Sequence, residues 1–322
     1  MKHLFIINPK AGKYNRAGEI IPLIQRLMEG RNEPYQTVLT EYPMHASALV
    51  RRYASEGDFL RVYVCGGDGT LNEASHGAAG LKNVAVTHYP CGTGNDFIKL
   101  FGKDSARFSD LGELIAGDVK QIDLIECNGR RCINICSIGF DARIAAFVAR
   151  FKHIPFISGK GAYNLSLLYN LFKGLYRPYK VTIDGISRDG RYTMLVACNG
   201  RYYGGGFNPV PEAMPDDGLI DFLLVGPVTP LTVARVVKKY QNGQHASLPE
   251  YITWVRGHRL DISCGSECPV NIDGEIVNAR SVNFSVSDKK LNFIVPKGAT
   301  WETPDHITPI YFAEKLNCAA SD

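Results

Sequence analysis

Four glycine turns that carry carboxylates hold most of the chemistry this chain can offer. The first, Gly66-Gly67-Asp68-Gly69-Thr70-Leu71-Asn72-Glu73, closes a short apolar run, Arg61–Cys65, and leads into a helix-compatible segment, Leu71–Ala79. Strand, glycine turn and helix in that order suit a phosphate: glycines let the backbone approach the oxygens, and the N–H groups of a helix start donate to them. Asp68 would repel a phosphate, so its place implies a divalent cation or a polar network between the two. The same residue types also favour a plain tight turn, and on this stretch alone the two readings weigh nearly equally.

Two more strand ends have the same composition. His3–Ile7 runs into Asn8-Pro9-Lys10-Ala11-Gly12-Lys13, and Val84–Pro90 runs into Cys91-Gly92-Thr93-Gly94-Asn95-Asp96-Phe97. In a parallel sheet the carboxyl ends of the strands share one edge, where ligands bind, so three such turns in the first hundred residues predict a nucleotide cleft. Neither a P-loop nor a dinucleotide fingerprint is present. Lys10 is equally a phosphate contact or a solvated loop lysine. Later, Asp273-Gly274-Glu275 offers two carboxylates, although Asp-Gly is also the favoured dipeptide of a two-residue hairpin turn, and turn chemistry alone selects the hairpin. Met214-Pro215-Asp216-Asp217-Gly218-Leu219 reads by composition as a turn before a strand.

NPKAG at 8–12, GGDGTLNE at 66–73, GTGNDF at 92–97 and DGE at 273–275 together resemble the bacterial diacylglycerol kinase family, which is related to sphingosine and ceramide kinases. The motifs span roughly residues 1–300 in order, and their combination is specific where GGDGT alone is not. The resemblance implies a kinase using ATP and Mg2+. It makes Asn8, Pro9, Lys10, Ala11, Gly12, Thr40, Gly66, Gly67, Asp68, Gly69, Thr70, Leu71, Asn72 and Thr93 the nucleotide-binding residues. It makes Glu275 the base that takes the proton of a lipid hydroxyl, reversing the hairpin choice, with Asp273 as helper or ligand of the ATP magnesium. It implies a structural magnesium on the Asp217 carboxylate and the Met214 and Leu219 carbonyls, with Asp216 as an alternative ligand. Waters of that ion would reach an acidic network of Asp68, Asp96 and Asp123; for Asp123 an exposed strand-end carboxylate is an equal reading. Lys99 stands where many relatives carry arginine.

Composition is that of an ordinary globular protein: 322 residues, 45% hydrophobic and 21% charged, enough for two domains. A net charge of +4 is too mild to argue for nucleic acid but tolerates an anionic membrane surface. No apolar run approaches the ~20 residues of a spanning helix, and no signal-peptide pattern precedes the first strand. The expectation is a cytoplasmic protein that meets a lipid substrate by visiting the membrane; assembly as a homodimer stays open. Nine scattered cysteines fit reduced thiols, and Cys264 and Cys268 lack the second ligand pair that zinc would need.

Positioning these residues falls to two units. Over 1–125, helices at Ala17–Gly30 and His45–Glu56 alternate with strands such as Tyr35–Leu39, which predicts an α/β domain with a parallel sheet, NAD-kinase-like as the resemblance implies. Over 126–302, short β-rich runs from Cys132–Ser137 to Lys290–Val295 read as an antiparallel sandwich or barrel, and the resemblance implies a β-sandwich domain that holds the lipid. Helices are expected at Asp141–Phe151, Lys160–Leu175, Thr229–Gln241 and Ile307–Cys318, and the resemblance implies that the tail 303–322 packs back on the first domain. Phe147–Phe156 and Lys173–Lys180 mix aromatics with cations, as a headgroup-facing surface or a basic-ended helix pair would. An NAD-kinase-like enzyme for a polar substrate and a non-catalytic lipid-binding module are the rival functions.

Overall fold

The structure is a computed structural model that describes residues 1–151 and 174–303, with side chains of 148–151 left aside. The expected helices at Lys160–Leu175 and Ile307–Cys318, the 303–322 tail and most of the Phe147–Phe156 segment lie outside the described residues.

The first unit is a six-stranded sheet. Its strands are β1 (Lys2–Ile7), β2 (Tyr35–Leu39), β3 (Leu60–Gly66), β4 (Val84–Pro90), β5 (Asp118–Ile122) and the last strand of the described chain, β17 (Leu291–Val295), in the order β2-β1-β3-β4-β17-β5. All pairings are parallel except β17 with β5. β3 is buried along its whole length, as a central strand covered on both faces must be. The helices α1 (Ala17–Met28), α2 (His45–Ala54) and α3 (Asp68–Ala78) cross between the strands. α1 shows the rule: Ala17, Ile20, Ile24 and Met28 recur at helical spacing and are its buried stripe. Because the chain leaves β1 for β2 on one side and returns to β3 on the other, the strand order reverses between β1 and β3. That reversal opens a crevice at their carboxyl ends.

The Lys290–Val295 strand belongs in this sheet, not in the second unit where its position in the chain suggested. Leu291, Phe293, Ile294 and Val295 are all fully buried, and Phe293 stands opposite Val86. A strand apolar on both faces is matched to the middle of a parallel sheet, but nothing local says which sheet receives it. A run of 3-10 turns, Phe97–Ser109, and the short helix α4 (Leu111–Ile115) complete the unit; the former was not foreseen.

The second unit is antiparallel throughout and folds into a sandwich. Its strands are β6 (Ile125–Cys127), β7 (Arg130–Cys132), β8 (Ile135–Gly139), β9 (Arg177–Ile183), β10 (Ile186–Ser187), β11 (Gly190–Tyr192), β12 (Met194–Cys198), β13 (Ile220–Val225), β14 (Ile252–Gly257), β15 (Arg259–Ile272) and β16 (Glu275–Val286). Its inner core includes Ile138, Val181, Phe222, Leu260, Val270 and Phe284. Among the described residues, two α-helices flank it, α5 (Phe140–Phe151) and α6 (Pro230–Gln241).

Candidate active site

The three N-terminal glycine turns close on one another through their backbones. Asn8 joins the first two: its Nδ2 donates to Thr70 Oγ1 at 2.8 Å, its Oδ1 accepts the Lys10 N–H at 2.9 Å, and its own N–H donates to the Cys65 carbonyl. A Cβ on Gly12, at φ +77°, would lie 2.5 Å from the Cys91 carbonyl oxygen, and one on Gly92 would lie 2.6 Å from Gly67 Cα. Side chains there would force the turns apart. Asp68 opens α3, with Gly67 as an extended cap, and its Oδ1 accepts the Asp96 N–H. Asp96 is buried, pairs with Lys99 and accepts the Gly205 N–H at 2.9 Å, which ties the first unit to a loop of the second.

These contacts bring Asn8 to Gly12, Gly66 to Asn72 and Thr93 to one edge. Thr40 ends β2 beside them, its N–H on the Ile7 carbonyl at 2.9 Å. Lys10, Gly12, Gly69 and Thr93 are exposed, whereas Leu71 and Asn72 are buried. Leu71 is part of the core, so it can offer a ligand on the phosphate side only its backbone.

Opposite this edge stands the β15–β16 hairpin. Asp273 and Gly274 take φ of +47° and +89°, as both central residues of a type I′ turn must, and Ile272 faces Glu275 across it. The hairpin reading and the carboxylate reading therefore describe the same residues. Asp273 clamps the segment before β8: its oxygens accept the N–H groups of Ile133, Asn134 and Ile135 at 2.9, 3.2 and 2.9 Å. Burial pushes its carboxyl up to about 6, against the pull of those donors. Glu275 pairs with Arg130 at 3.3 Å on a half-exposed rim. Burial raises its carboxyl above the ordinary value, and Glu73 raises it further while Arg130 opposes.

A cavity of about 1030 Å³ runs between the two faces. Asp68, Thr93, Gly94 and Asp96 line one part and Asn271, Asp273 and Gly274 another, while most of the remainder is apolar, with Phe140, Ile144, Val225, Val228 and Val233 among its walls. Glu275 is not on this wall; Asp273 is.

Against known proteins, the profile of the diacylglycerol kinase catalytic domain matches residues 2–127, and that of the YegS C-terminal NAD kinase beta sandwich-like domain matches residues 134–295. A probable lipid kinase YegS-like of Shewanella frigidimarina is 30% identical over 243 residues, covering 73% of this chain and 76% of that protein. The chain belongs to the family of bacterial diacylglycerol kinases and YegS-like lipid kinases. A putative lipid kinase of Staphylococcus epidermidis is 26% identical over 75% of this chain and 78% of its own length. In fold the chain is similar to a putative diacylglycerol kinase from Bacillus anthracis, with a TM-score of 0.72 at 23% identity, covering 93% of this chain and 98% of that one.

Within this lipid kinase the loop expected to hold a structural magnesium wraps around Asp123. The Asp123 N–H donates to the Pro215 carbonyl, one carboxylate oxygen accepts the Gly218 N–H at 2.8 Å, and the other pairs with Lys290 at 2.8 Å. Asp123 is 1% exposed, which rules out an exposed strand-end carboxylate. Direct contacts divide the expected acidic network in two: Asp68 with Asp96, and Asp123 with the Asp217 loop. Asp217 uses one oxygen to accept the Leu219 N–H at 3.0 Å and the other to pair with Arg256. Burial raises its carboxyl, Arg256 opposes, and the charge of Asp123 adds to the rise. The loop's donor set of carboxylate and main-chain oxygens is the hard kind magnesium takes, and a carboxylate crowded by another gains from a cation, so the residues fit the ion. Arg256 is its competitor. Asp216 is engaged elsewhere, accepting the Trp301 indole N–H at 2.7 Å, and the Met214 sulfur meets Arg201 at 3.0 Å.

Sequence reasoning missed a polar island in the apolar cavity. Asp141, Tyr203 and Tyr240 all line it. The two hydroxyls are 3.1 Å apart, and one Asp141 oxygen is buried without a hydrogen-bond partner among the described residues while the other accepts the Ala142 N–H. An aspartate in a first helical turn reads as ordinary dipole complementarity, so no local signal marked it.

Proposed function

We propose that this chain is an ATP-dependent lipid kinase that transfers the γ-phosphoryl group of Mg-ATP to a lipid hydroxyl, with diacylglycerol as the leading acceptor and phosphatidic acid as product. A sphingoid base, ceramide or phosphatidylglycerol would use the same machinery. The observation that carries this reading is the single cavity that joins an acidic, glycine-turn end to an apolar chamber of lipid-accommodating size. A polar acceptor such as NAD has no use for those walls.

In this reading the backbone N–H groups of the three turns and the start of α3 cradle the phosphates, and Lys10 answers their charge. Magnesium travelling with ATP neutralises charge on the transferring group when bound. Residues near Asp68 and Asp96 would hold it, and Asp217 with the Met214 and Leu219 carbonyls would hold a second, structural ion. Glu275 takes the proton as the lipid oxygen forms its bond to phosphorus and the bond from phosphorus to the bridging oxygen breaks, releasing ADP. Asp273, with both oxygens committed to Ile133–Ile135, positions the hairpin rather than accepting the proton. The protein works at a membrane surface and returns to solution.

The test is transfer from labelled ATP to a lipid panel in mixed micelles with magnesium, using wild type and Glu275→Ala. The reading expects transfer to diacylglycerol that falls by about 10²–10⁴ in the variant. Transfer to a different lipid keeps the mechanism and changes the acceptor. No transfer to any lipid while ATP binds, or turnover of NAD indifferent to micelles, would overturn it.

A further inference from the structure

The helix α6 has an unusual relation to the cavity. It starts by itself, Thr229 Oγ1 accepting the Thr232 N–H at 3.1 Å, and of its twelve residues only Tyr240 is buried. An ordinary surface helix hides its apolar stripe in the core. Here Pro230, Val233, Ala234 and Val237, at spacing three and four, line the cavity, and of these Val233 also packs against a small buried cluster. Val237 lines that cavity and is also 40% exposed, so the cavity reaches the surface beside it.

The outer face of α6 is cationic. Leu231, Arg235 and Lys238 follow one another at spacing four and three, with Lys239 adjacent, and Leu231 is 60% exposed. The helix contains no acidic residue, and none of its three cations forms an ion pair among the described residues. An apolar stripe open to a lipid-sized chamber, flanked by unpaired cations and a protruding leucine, is the pattern of a helix lying in a membrane interface. Charge decides the occupant: three cations without carboxylates repel a second copy of themselves and favour an anionic bilayer.

We propose that α6 is the membrane-docking element of this protein. It seats the cavity mouth at Val237 against an anionic lipid surface, and the acceptor lipid leaves the bilayer along Val233, Ala234 and Val237. This rests on the lipid-kinase reading for its purpose, but not for its measurement.

The experiment is sedimentation of the full chain with phosphatidylcholine vesicles, with and without phosphatidylglycerol. Wild type is compared with Arg235→Gln/Lys238→Gln/Lys239→Gln and with Leu231→Asp. Each cation near an anionic surface is worth about five-fold in binding, so the triple variant should partition roughly 100-fold more weakly to anionic vesicles. Leu231→Asp should weaken binding to both vesicle types. Transfer to lipid in uncharged detergent micelles should stay within about two-fold for the triple variant, since none of its three cations lines the cavity, while transfer in anionic vesicles falls with binding. Wild type that ignores anionic vesicles, variants that bind them unchanged, or a concentration-dependent self-association lost in the variants would each overturn the proposal. Failure of wild type to phosphorylate lipid in micelles would instead count against the kinase reading, with the vesicle partition still reporting on α6.

Discussion

Asp273 and Glu275 lie two residues apart in contrasting surroundings, which suit them to the different tasks proposed for them. Asp273 is locked by three N–H donors, and among the described residues Glu275 pairs only with the exposed Arg130 at the cleft rim. An exposed pair of that kind contributes little and releases easily, which a base must do. In its proposed role as base Glu275 must be ionised, and burial raises its carboxyl above the ordinary glutamate value. Activity is therefore expected to be present above that raised value and to fall as pH drops through it. The acid limb of kcat/KM should lie above the ordinary glutamate range in wild type and vanish from the residual rate of Glu275→Gln. An unchanged limb in the variant would assign it to another group.

At the scale of elements, the site depends on how closely three turns approach. Gly12 sits at φ +77° with no room for a Cβ beside the Cys91 carbonyl, whereas Gly69 lies within α3 with open space around it. Gly12→Ala should cost about 1–2 kcal/mol of stability from the left-handed backbone alone, more if Cys91 cannot yield, and should weaken ATP binding with it. Gly69→Ala should leave stability unchanged or raise it by up to about 1 kcal/mol, since alanine favours a helix. Urea unfolding and ATP titration of both variants read the two effects; equal losses would mean that the approach of the turns is not what the glycines serve. The second turn and its helix were legible in the residue types. That Asn8 would bolt the first turn to Thr70 was not, because the two are sixty-two residues apart.

For the whole molecule, β17 governs how the units can be separated. It crosses back from the sandwich to insert between β4 and β5 of the first sheet, where Phe293 packs with Phe97 and Phe108. A fragment ending near residue 127 would leave β4 and β5 with open edges and a gap where a buried strand belongs. Such a fragment is expected to be insoluble or molten, and adding a peptide spanning 288–303 should restore cooperative unfolding by circular dichroism. A fragment that unfolds cooperatively without the peptide would show that β17 is dispensable.

The sequence alone determined the chemistry on offer and the periodicity that sorts it. Glycine turns at three strand ends, Asp-Gly at a hairpin, an alternating first third and a β-rich remainder are local patterns, and local backbone preference produces them. Tertiary structure alone decided which sheet receives Leu291–Val295, which carboxylates share contacts, that Arg256 and Lys290 neutralise the Asp217 and Asp123 loop, and that Asp141, Tyr203 and Tyr240 meet inside an apolar cavity. Each of those joins residues far apart in the chain, and burial and charge complementarity select such partners only after the elements have packed.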